Sequence, residues 1–379
     1  MSHPLETLLF DSLCYLHSHP ETAFEEKLTT AYLRQVLTDH GIRVLDTGLE
    51  TGLIARIDGA LPGRTIGLRA DIDALPVQES SGLPYASVIP GKMHACGHDF
   101  HACAVLGAAL LLQERRESLH GTVKIIFQPA EEVDGGGRIV ARLPELDDCD
   151  CFLAGHTYPE FPAGTIGIKE GAVMAAVDRF KLLIHGRGTH AAHPHAGIDP
   201  IVIQAALVQS LQTIVSRTMS PFSHSLVSVT HVSAGNTWNV IPQTALLEGT
   251  VRTLDPDDRL RVEKQFRQIV SGVAAAYGAT IDIDWTHGSP AVINDPALCA
   301  LGRRVAEQHG LITDRQEDTL GGEDFSQYLL HKPGLFVRIG TGGEHPAHHP
   351  GFTVDPAALY PAACYFADLA DACLATENK

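Results

Sequence analysis

No stretch of this sequence approaches the roughly 20 consecutive apolar residues that a membrane-spanning helix requires. The opening segment, MSHPLETLLFDSLCYLHSHPE, has neither a basic leader nor an apolar block behind one. A secretory signal is therefore not expected, and the expected compartment is the cytoplasm. Basic residues are scarce: 28 Lys and Arg stand against 45 Asp and Glu, a formal net charge of −17. A surface of that sign repels phosphate backbones and anionic lipids, so no nucleic-acid or membrane-surface role is expected. Cysteine is too thinly spread for a disulfide scaffold. Cys14, Cys96, Cys103, Cys149, Cys151, Cys299, Cys364 and Cys373 are scattered, which points to reduced, mostly core residues. Internal repeats and low-complexity tracts are also missing.

What is present is ordinary globular material. Hydrophobic residues make up 44% and charged residues 19% of 379 positions, a length that suggests about two domains. Leu5 to His40 reads as helical. GLIARIDG and RTIGLRADID read as strands joined by a turn from Gly59 to Gly63. HACAVLGAALLLQERRE reads as a buried helix, and GTVKIIFQPAEE and CDCFLAGH as apolar strands. Alternating strands and helices predict an α/β fold with a mixed, mostly parallel sheet and flanking helices. Near Val177 the pattern changes. A strand DRFKLLIHGRG precedes a helix with Asp199 as N-cap and Pro200 in its first turn. Two strands, a helix around Leu260 to Tyr277 and a strand ATIDIDWTHG follow. This β-α-β-β-α-β order predicts an inserted smaller α+β, ferredoxin-like domain. The expected layout is 1–177 and 290–379 as a discontinuous catalytic domain, with 178–289 as the insert.

The chemistry gathers at strand ends. RTIGLRADID ends at Asp71 and Asp73, TVKIIFQPAEE at Glu131 and Glu132, and CDCFLAGH at His156. GLFVRIGTG leads into the loop GGEHPAHHPGF, and Cys96, His98, Asp99 and His101 precede a helix. Ligands of open α/β sheets sit beyond the carboxyl ends of the strands. Carboxylates clustered there repel one another and raise one another's pKa values, a cost that divalent cations remove. Thiolate, imidazole and carboxylate are donors that zinc and its neighbours accept. Of two adjacent acids at a strand exit, one can bind metal and the other face a water. That carboxylate can then take the water's proton, which is metal-assisted hydrolysis with a general base.

These residues resemble the M20 metallopeptidase family. The resemblance rests on MHACGHDFH, QPAEE, AGH before a Tyr-Pro turn and AHHPGF, and is strengthened by RADIDALP, HAAHPHAGIDPI, NVIP and GTVRT. It runs over nearly the whole chain and is greatest for the N-acyl amino acid amidohydrolases. The resemblance implies two divalent metal ions bridged by Cys96, zinc or manganese, with cobalt or nickel also compatible. One ion would take Cys96, His98 and His156; the other would take Cys96, Glu132 and a histidine of the AHHP loop. His348 is the expected loop ligand, with His349 and His345 as neighbouring alternatives. Glu131 would be general base and later proton donor to the leaving amine, and Asp73 would orient a ligand histidine. In the insert, His190 would stabilise the oxyanion, often across a dimer, while Asn239 and Arg252 would hold the substrate's carboxylate or carbonyl. The substrate implied is a small N-acyl amino acid or related small amide. A homodimer or higher homo-oligomer is implied as well. The alternative within the family is a dipeptidase or carboxypeptidase.

Blander readings stand beside these. His17 and His19 have the look of a metal pair but read as helix-end capping and packing, and His101, His193 and His195 as structural or supporting. Asp71 reads equally as a supporting residue or a strand-end cap. Gly135 to Gly137 lack the Lys-Ser/Thr of a phosphate loop and read as a flexible turn. Glu323 and Asp324 read as helix capping or pocket lining. A thiol hydrolase built on Cys96 would not need the surplus carboxylates, and a noncatalytic metal protein would not need Glu131.

Overall fold

A computed structural model describes residues 4–313 and 319–375. The chain divides into two compact units: Met1–Gly171, Ile293–Glu317 and Asp324–Lys379 form the larger, and Ala172–Val292 with Asp318–Glu323 the smaller. Among the described residues no helix is long and apolar enough to cross a membrane.

The larger unit opens with α1 (Pro4–Ser18), whose Leu5, Leu9, Leu13 and Leu16 recur at helical spacing and are buried. The single helix expected from Leu5 to His40 is in fact two, because α2 (Lys27–Asp39) starts anew. Pro20 cannot continue a helix. Beyond it, the Glu21 carboxylate accepts the Leu28 and Thr29 amides at 3.1 and 2.9 Å, satisfying the first turn of α2. Strands β1 (Arg43–Val44), β2 (Leu53–Asp58) and β3 (Leu61–Asp71) follow. Helix α3 (His98–Glu114) is buried from His98 to Leu112, as an all-round apolar sequence requires. Then come β4 (His120–Gln128), a short α4 (Gly136–Val140), β5 (Cys151–Tyr158) and β6 (Ile166–Gly167).

The smaller unit contains β7 (Ala176–His185), β8 (Thr189–His190), α5 (Pro200–Thr213), β9 (Ser225–Ala234), β10 (Val240–Ile241), β11 (Thr244–Thr253), α6 (Pro256–Tyr277) and β12 (Thr280–His287). Its antiparallel sheet has the order β9-β11-β7-β12, the ferredoxin-like arrangement expected from the element order. Asp199 caps α5 by accepting the Ile201 amide at 2.9 Å. Phe180, Leu182, Leu207, Leu247 and Phe266 belong to a core of its own.

The chain returns through α7 (Pro296–Gln308), β13 (Ile312–Thr313), β14 (Gly334–Gly340) and α8 (Leu359–Leu374). The large sheet has the order β1-β2-β4-β3-β5-β14-β6-β13. Its middle four strands, β4, β3, β5 and β14, run parallel; β1 and β2 pair antiparallel to their neighbours, and β6 pairs antiparallel to β14 and parallel to β13. This is the mixed sheet with flanking helices that the sequence predicts. The middle strands are apolar runs buried on both faces, as helix-covered parallel strands must be. Leu9 and Leu13 of α1, Phe100 and Leu106 of α3, and Phe366 and Leu369 of α8 pack with Ile66, Leu68 and Ile125 of the sheet. Because the four middle strands are parallel, their carboxyl ends open on one edge.

Candidate metal centre

At that edge β3 ends at Asp71 and Asp73 follows. β4 runs into Glu131 and Glu132, β5 carries His156, and α3 begins at His98 just after Cys96. β14 runs out into the loop that carries His348. Ligand atoms of Cys96, His98 and His156 all lie within 4.8 Å of one another, and so do those of Cys96, Glu132 and His348. Two donor triplets therefore share one sulfur.

His156 and His98 both present their Nε2 atoms to this cluster, because Nδ1 is occupied elsewhere. His156 Nδ1–H donates to the Thr157 carbonyl at 2.8 Å, leaving Nε2 at 3.3 Å from Cys96 Sγ. His98 Nδ1–H donates to Asp73 Oδ1 at 3.2 Å. His98 Nε2 then has no hydrogen-bond partner, and neither has Glu132 Oε1, 3.8 Å away. Holding one ring nitrogen and freeing the other is how proteins prepare an imidazole for a metal. Two buried, unsatisfied atoms with lone pairs to give, beside a thiol, are the donor set of a soft-to-borderline cation. The residues fit the divalent metals that the resemblance implies.

The electrostatics agree. Burial pushes the Cys96 thiol up, but the His156, His348 and His98 rings around it outweigh burial and bring it down to about 6. Burial opposes protonation of His156, yet Cys96 holds it up, at about 9. Glu132 is lowered because His348 and His98 outweigh the desolvation it suffers. Cys96 and Glu132 raise the half-exposed His348 to about 10. Anionic donors drawing in positive charge mark the place where a cation is wanted.

The acidic pair is set by two other carboxylates. Asp73 accepts the amides of Glu131 and Glu132, both at 3.0 Å, besides bonding His98. Buried Glu26 accepts the Ala130 amide at 2.9 Å. Three successive N–H groups thus point at two acids, and Ala130 is forced to φ 56°. Gly135 to Gly137, expected as a flexible turn, are packed instead. A Cβ on Gly136 would come 1.6 Å from the Pro129 carbonyl oxygen, and one on Gly137 would meet Asp324. Gly97 meets a similar limit: its φ is +83°, and a Cβ there would lie 2.7 Å from Thr157 Oγ1.

The other loop histidines turn elsewhere. His349 and His345 stack with ring centroids 4.2 Å apart, and His349 Nδ1 accepts the Gly351 amide. His17 does not cap its helix; it bridges Asp99 at 2.7 Å and Glu79 at 3.2 Å, both through ring nitrogens. His19 does cap, its Nδ1–H donating to the Tyr15 carbonyl. Asp71 is no simple strand cap, since it bonds Arg69 and His101. Asp324 accepts from Arg69, Gln128 and the Gly137 amide in a wholly buried network. Arg69, Gln128 and Glu26 went unread in the sequence; a charged residue in the middle of a buried strand is the signal that could have found Arg69.

The remaining residues of interest lie in the smaller unit. His190 of β8 is registered opposite Val240 of β10, and the Ala191 amide donates to the Asn239 carbonyl at 3.0 Å. His190 is exposed, and its Nδ1 accepts the Ala192 amide. Arg252 lies in β11, opposite Leu226 and Val177.

Comparison with known proteins gives a consistent result. The profile described as peptidase family M20/M25/M40 matches residues 67–372. The chain is 45% identical over 362 residues to the N-acetyl-L-cysteine deacetylase of Bacillus subtilis (strain 168), covering 96% of this chain and 87% of that protein. It is 46% identical over 356 residues to an N-acetylcysteine deacetylase of the same organism, covering 94% of each. Its fold matches the crystal structure of the Bacillus subtilis YXEP protein, described as a dinuclear metal binding peptidase from the M20 family. That match has a TM-score of 0.89 and 42% identity, and covers 98% of both chains. The chain belongs to peptidase family M20/M25/M40 and is a hydrolytic enzyme of the amidohydrolase kind.

Proposed function

We propose that this enzyme removes the acyl group from small N-acyl amino acids, N-acetylated ones foremost, using two divalent cations. The observation that carries the reading is the convergence of three histidine Nε2 atoms, a shared thiol and a buried carboxylate oxygen at the sheet edge, with His98 Nε2 left without a hydrogen-bond partner. The deacetylase names of the relatives support the acyl amino acid as substrate. Cys96, His98 and His156 would hold one ion, and Cys96, Glu132 and His348 the other. The ions, zinc or manganese, would polarise the amide carbonyl and make water more acidic.

The chain's own residues do the rest. Glu131 has its backbone fixed by Asp73, takes a proton from the attacking water and returns it to the leaving amine. Asp73 keeps His98 and the two glutamates in register. His190 donates to the developing oxyanion, while Asn239 and Arg252 bind the substrate's carboxylate or carbonyl. A homodimer in the cytoplasm completes the reading, with residues 178–289 as lid and dimerisation domain and 1–177 with 290–379 as catalytic domain.

The test is an assay of the zinc- or manganese-loaded protein against N-acetyl and N-benzoyl amino acids, with Glu131→Gln beside it. Hydrolysis that disappears with a chelator, and disappears in the variant while metal stays bound, is the expected result. A metal-loaded wild type that cleaves dipeptides or C-terminal residues but no acyl amino acid moves the assignment to the peptidase branch.

A further inference from the structure

Behind the donor atoms lies a second buried layer that the roles above do not use. Asp71, His101 and Thr157 are each at most 2% exposed. His101 Nδ1 lies 2.6 Å from Asp71 Oδ1, and the Thr157 amide donates to His101 Nε2 at 2.8 Å. Asp71 Oδ2 accepts from Arg69 Nη1 at 2.7 Å. Asp71, His98 and His101 have the types and spacing of a third metal triplet. But both nitrogens of His101 and both oxygens of Asp71 are spoken for, so this group is not a vacant ligand set.

The polarity of this chain of bonds is forced from one end. Arginine only donates, and a carboxylate that meets it only accepts. Asp71 must therefore accept from His101 Nδ1–H, and a neutral imidazole that donates through Nδ1 can only accept at Nε2. The Thr157 N–H is the donor that fills it. At Thr157 the chain of bonds divides toward the donors. Its carbonyl takes the His156 ring N–H at 2.8 Å, and its hydroxyl donates to the Cys96 carbonyl at 3.0 Å. One residue thus fixes the ring of His156 and the backbone of Cys96, and that residue hangs from His101.

We propose that Asp71 and His101 are positioning residues for the metal centre: a one-way hydrogen-bond strut from Arg69 to Thr157 that sets where His156 and Cys96 present their donor atoms. The inference rests on the metal-centre reading above and extends it to residues whose ring nitrogens and carboxylate oxygens are already hydrogen-bonded within the protein. It makes an unusual prediction about substitutions. In Asp71→Asn, the amide oxygen stays with Arg69 and the NH2 faces His101, which must then accept at Nδ1. Its Nε2–H then opposes the Thr157 N–H, donor against donor. In His101→Gln, the side-chain amide can still donate to Asp71 and accept from Thr157. The near-isosteric change should therefore do harm, and the change of ring to amide should be tolerated.

The experiment titrates metal-free wild type, Asp71→Asn, His101→Gln and His101→Ala with cobalt(II). It follows the thiolate-to-cobalt charge-transfer band and the stoichiometry, with circular dichroism confirming that each apoprotein is folded. Expected are two cobalt ions and a clear band in wild type and His101→Gln. Asp71→Asn and His101→Ala should lose affinity by about 10- to 100-fold, the usual effect of removing a residue that supports a ligand, and their band should be displaced. If His101→Ala does not fold, the contrast between Asp71→Asn and His101→Gln carries the decision. Equal affinity and an unmoved band in Asp71→Asn overturn the strut, as does a His101→Gln protein as weak as Asp71→Asn. A wild type that shows no thiolate band at all overturns the metal-centre reading itself, which is a separate result.

Discussion

The Nε2 atom of His98 and the Oε1 atom of Glu132 lie 3.8 Å apart, both buried and both without a hydrogen-bond partner. A buried polar atom without a partner costs a fold about 1–3 kcal/mol; for Glu132 Oε1 an ion pair with His348 Nε2 at 3.4 Å offsets part of that. In the proposed metal centre the same two atoms would both face a cation.

Stability should accordingly follow metal. Stripping the protein with a chelator is expected to lower its melting temperature, and zinc or manganese should restore it. At a free metal concentration about 100 times the dissociation constant, one site contributes about 2.7 kcal/mol. Cys96→Ala should shrink the difference between stripped and loaded protein. Calorimetry that finds the same melting temperature with and without chelator contradicts this.

Arg69 should matter more than any surface charge. It is buried between Asp71 and Asp324, with bonds of 2.7 and 2.8 Å. Arg69→Met leaves both carboxylates without their cation. Removing one partner of a buried pair typically costs about 3–5 kcal/mol. Urea unfolding of the apoprotein measures it; a loss below about 1 kcal/mol, the range of an exposed pair, would be inconsistent with this network.

A pH dependence follows from His17. Burial disfavours its charge, but Asp99 and Glu79 overcome burial and raise its pKa to about 10. In the unfolded chain an imidazole titrates near about 6.5. A group raised on folding lends stability that is complete below the unfolded pKa and lost as pH climbs through the folded one. The stability gap between wild type and His17→Gln should therefore be widest at or below about pH 6.5 and narrow toward pH 10. Melting curves across that range read it directly, and a gap that widens with pH contradicts it.

Gly136→Ala tests the packed turn beside the acidic pair. The added Cβ would sit 1.6 Å from the Pro129 carbonyl oxygen, so backbone must move. Pro129 and Ala130 lead directly into Glu131 and Glu132, so activity should fall further than stability does. A variant with full activity would show that the turn yields without moving the acids.

Much of this was legible in the sequence, because strand endings are local facts. An apolar run that stops at Asp73, Glu132 or His156 announces both its burial and its exit, and parallel strands bring those exits together. The inserted unit was legible in the same way, from its element order. What could not be read depends on distance along the chain. His17 looked like a helix-end residue because its partner Asp99 lies 82 positions away. Asp324 is 255 positions from Arg69, and nothing near either residue signals the other. The break between α1 and α2 was signalled by Pro20 and overridden by the apolar rhythm on either side. The packing of Gly136 became visible only once Pro129 was in place against it.

The position of β14 in the sheet has a consequence for how the molecule is made. It lies between β5 and β6, yet it is synthesised after both and after the entire smaller unit. Until residue 340 has left the ribosome, β5 and β6 each expose a bare edge toward an empty slot, and Cys96 lacks the His348 loop beside it. Open edges of that kind invite pairing with other chains. A chain stopped after the smaller unit but before Gly334 should therefore be recovered as aggregate, even though the smaller unit has its own core and every donor up to His156 is already present.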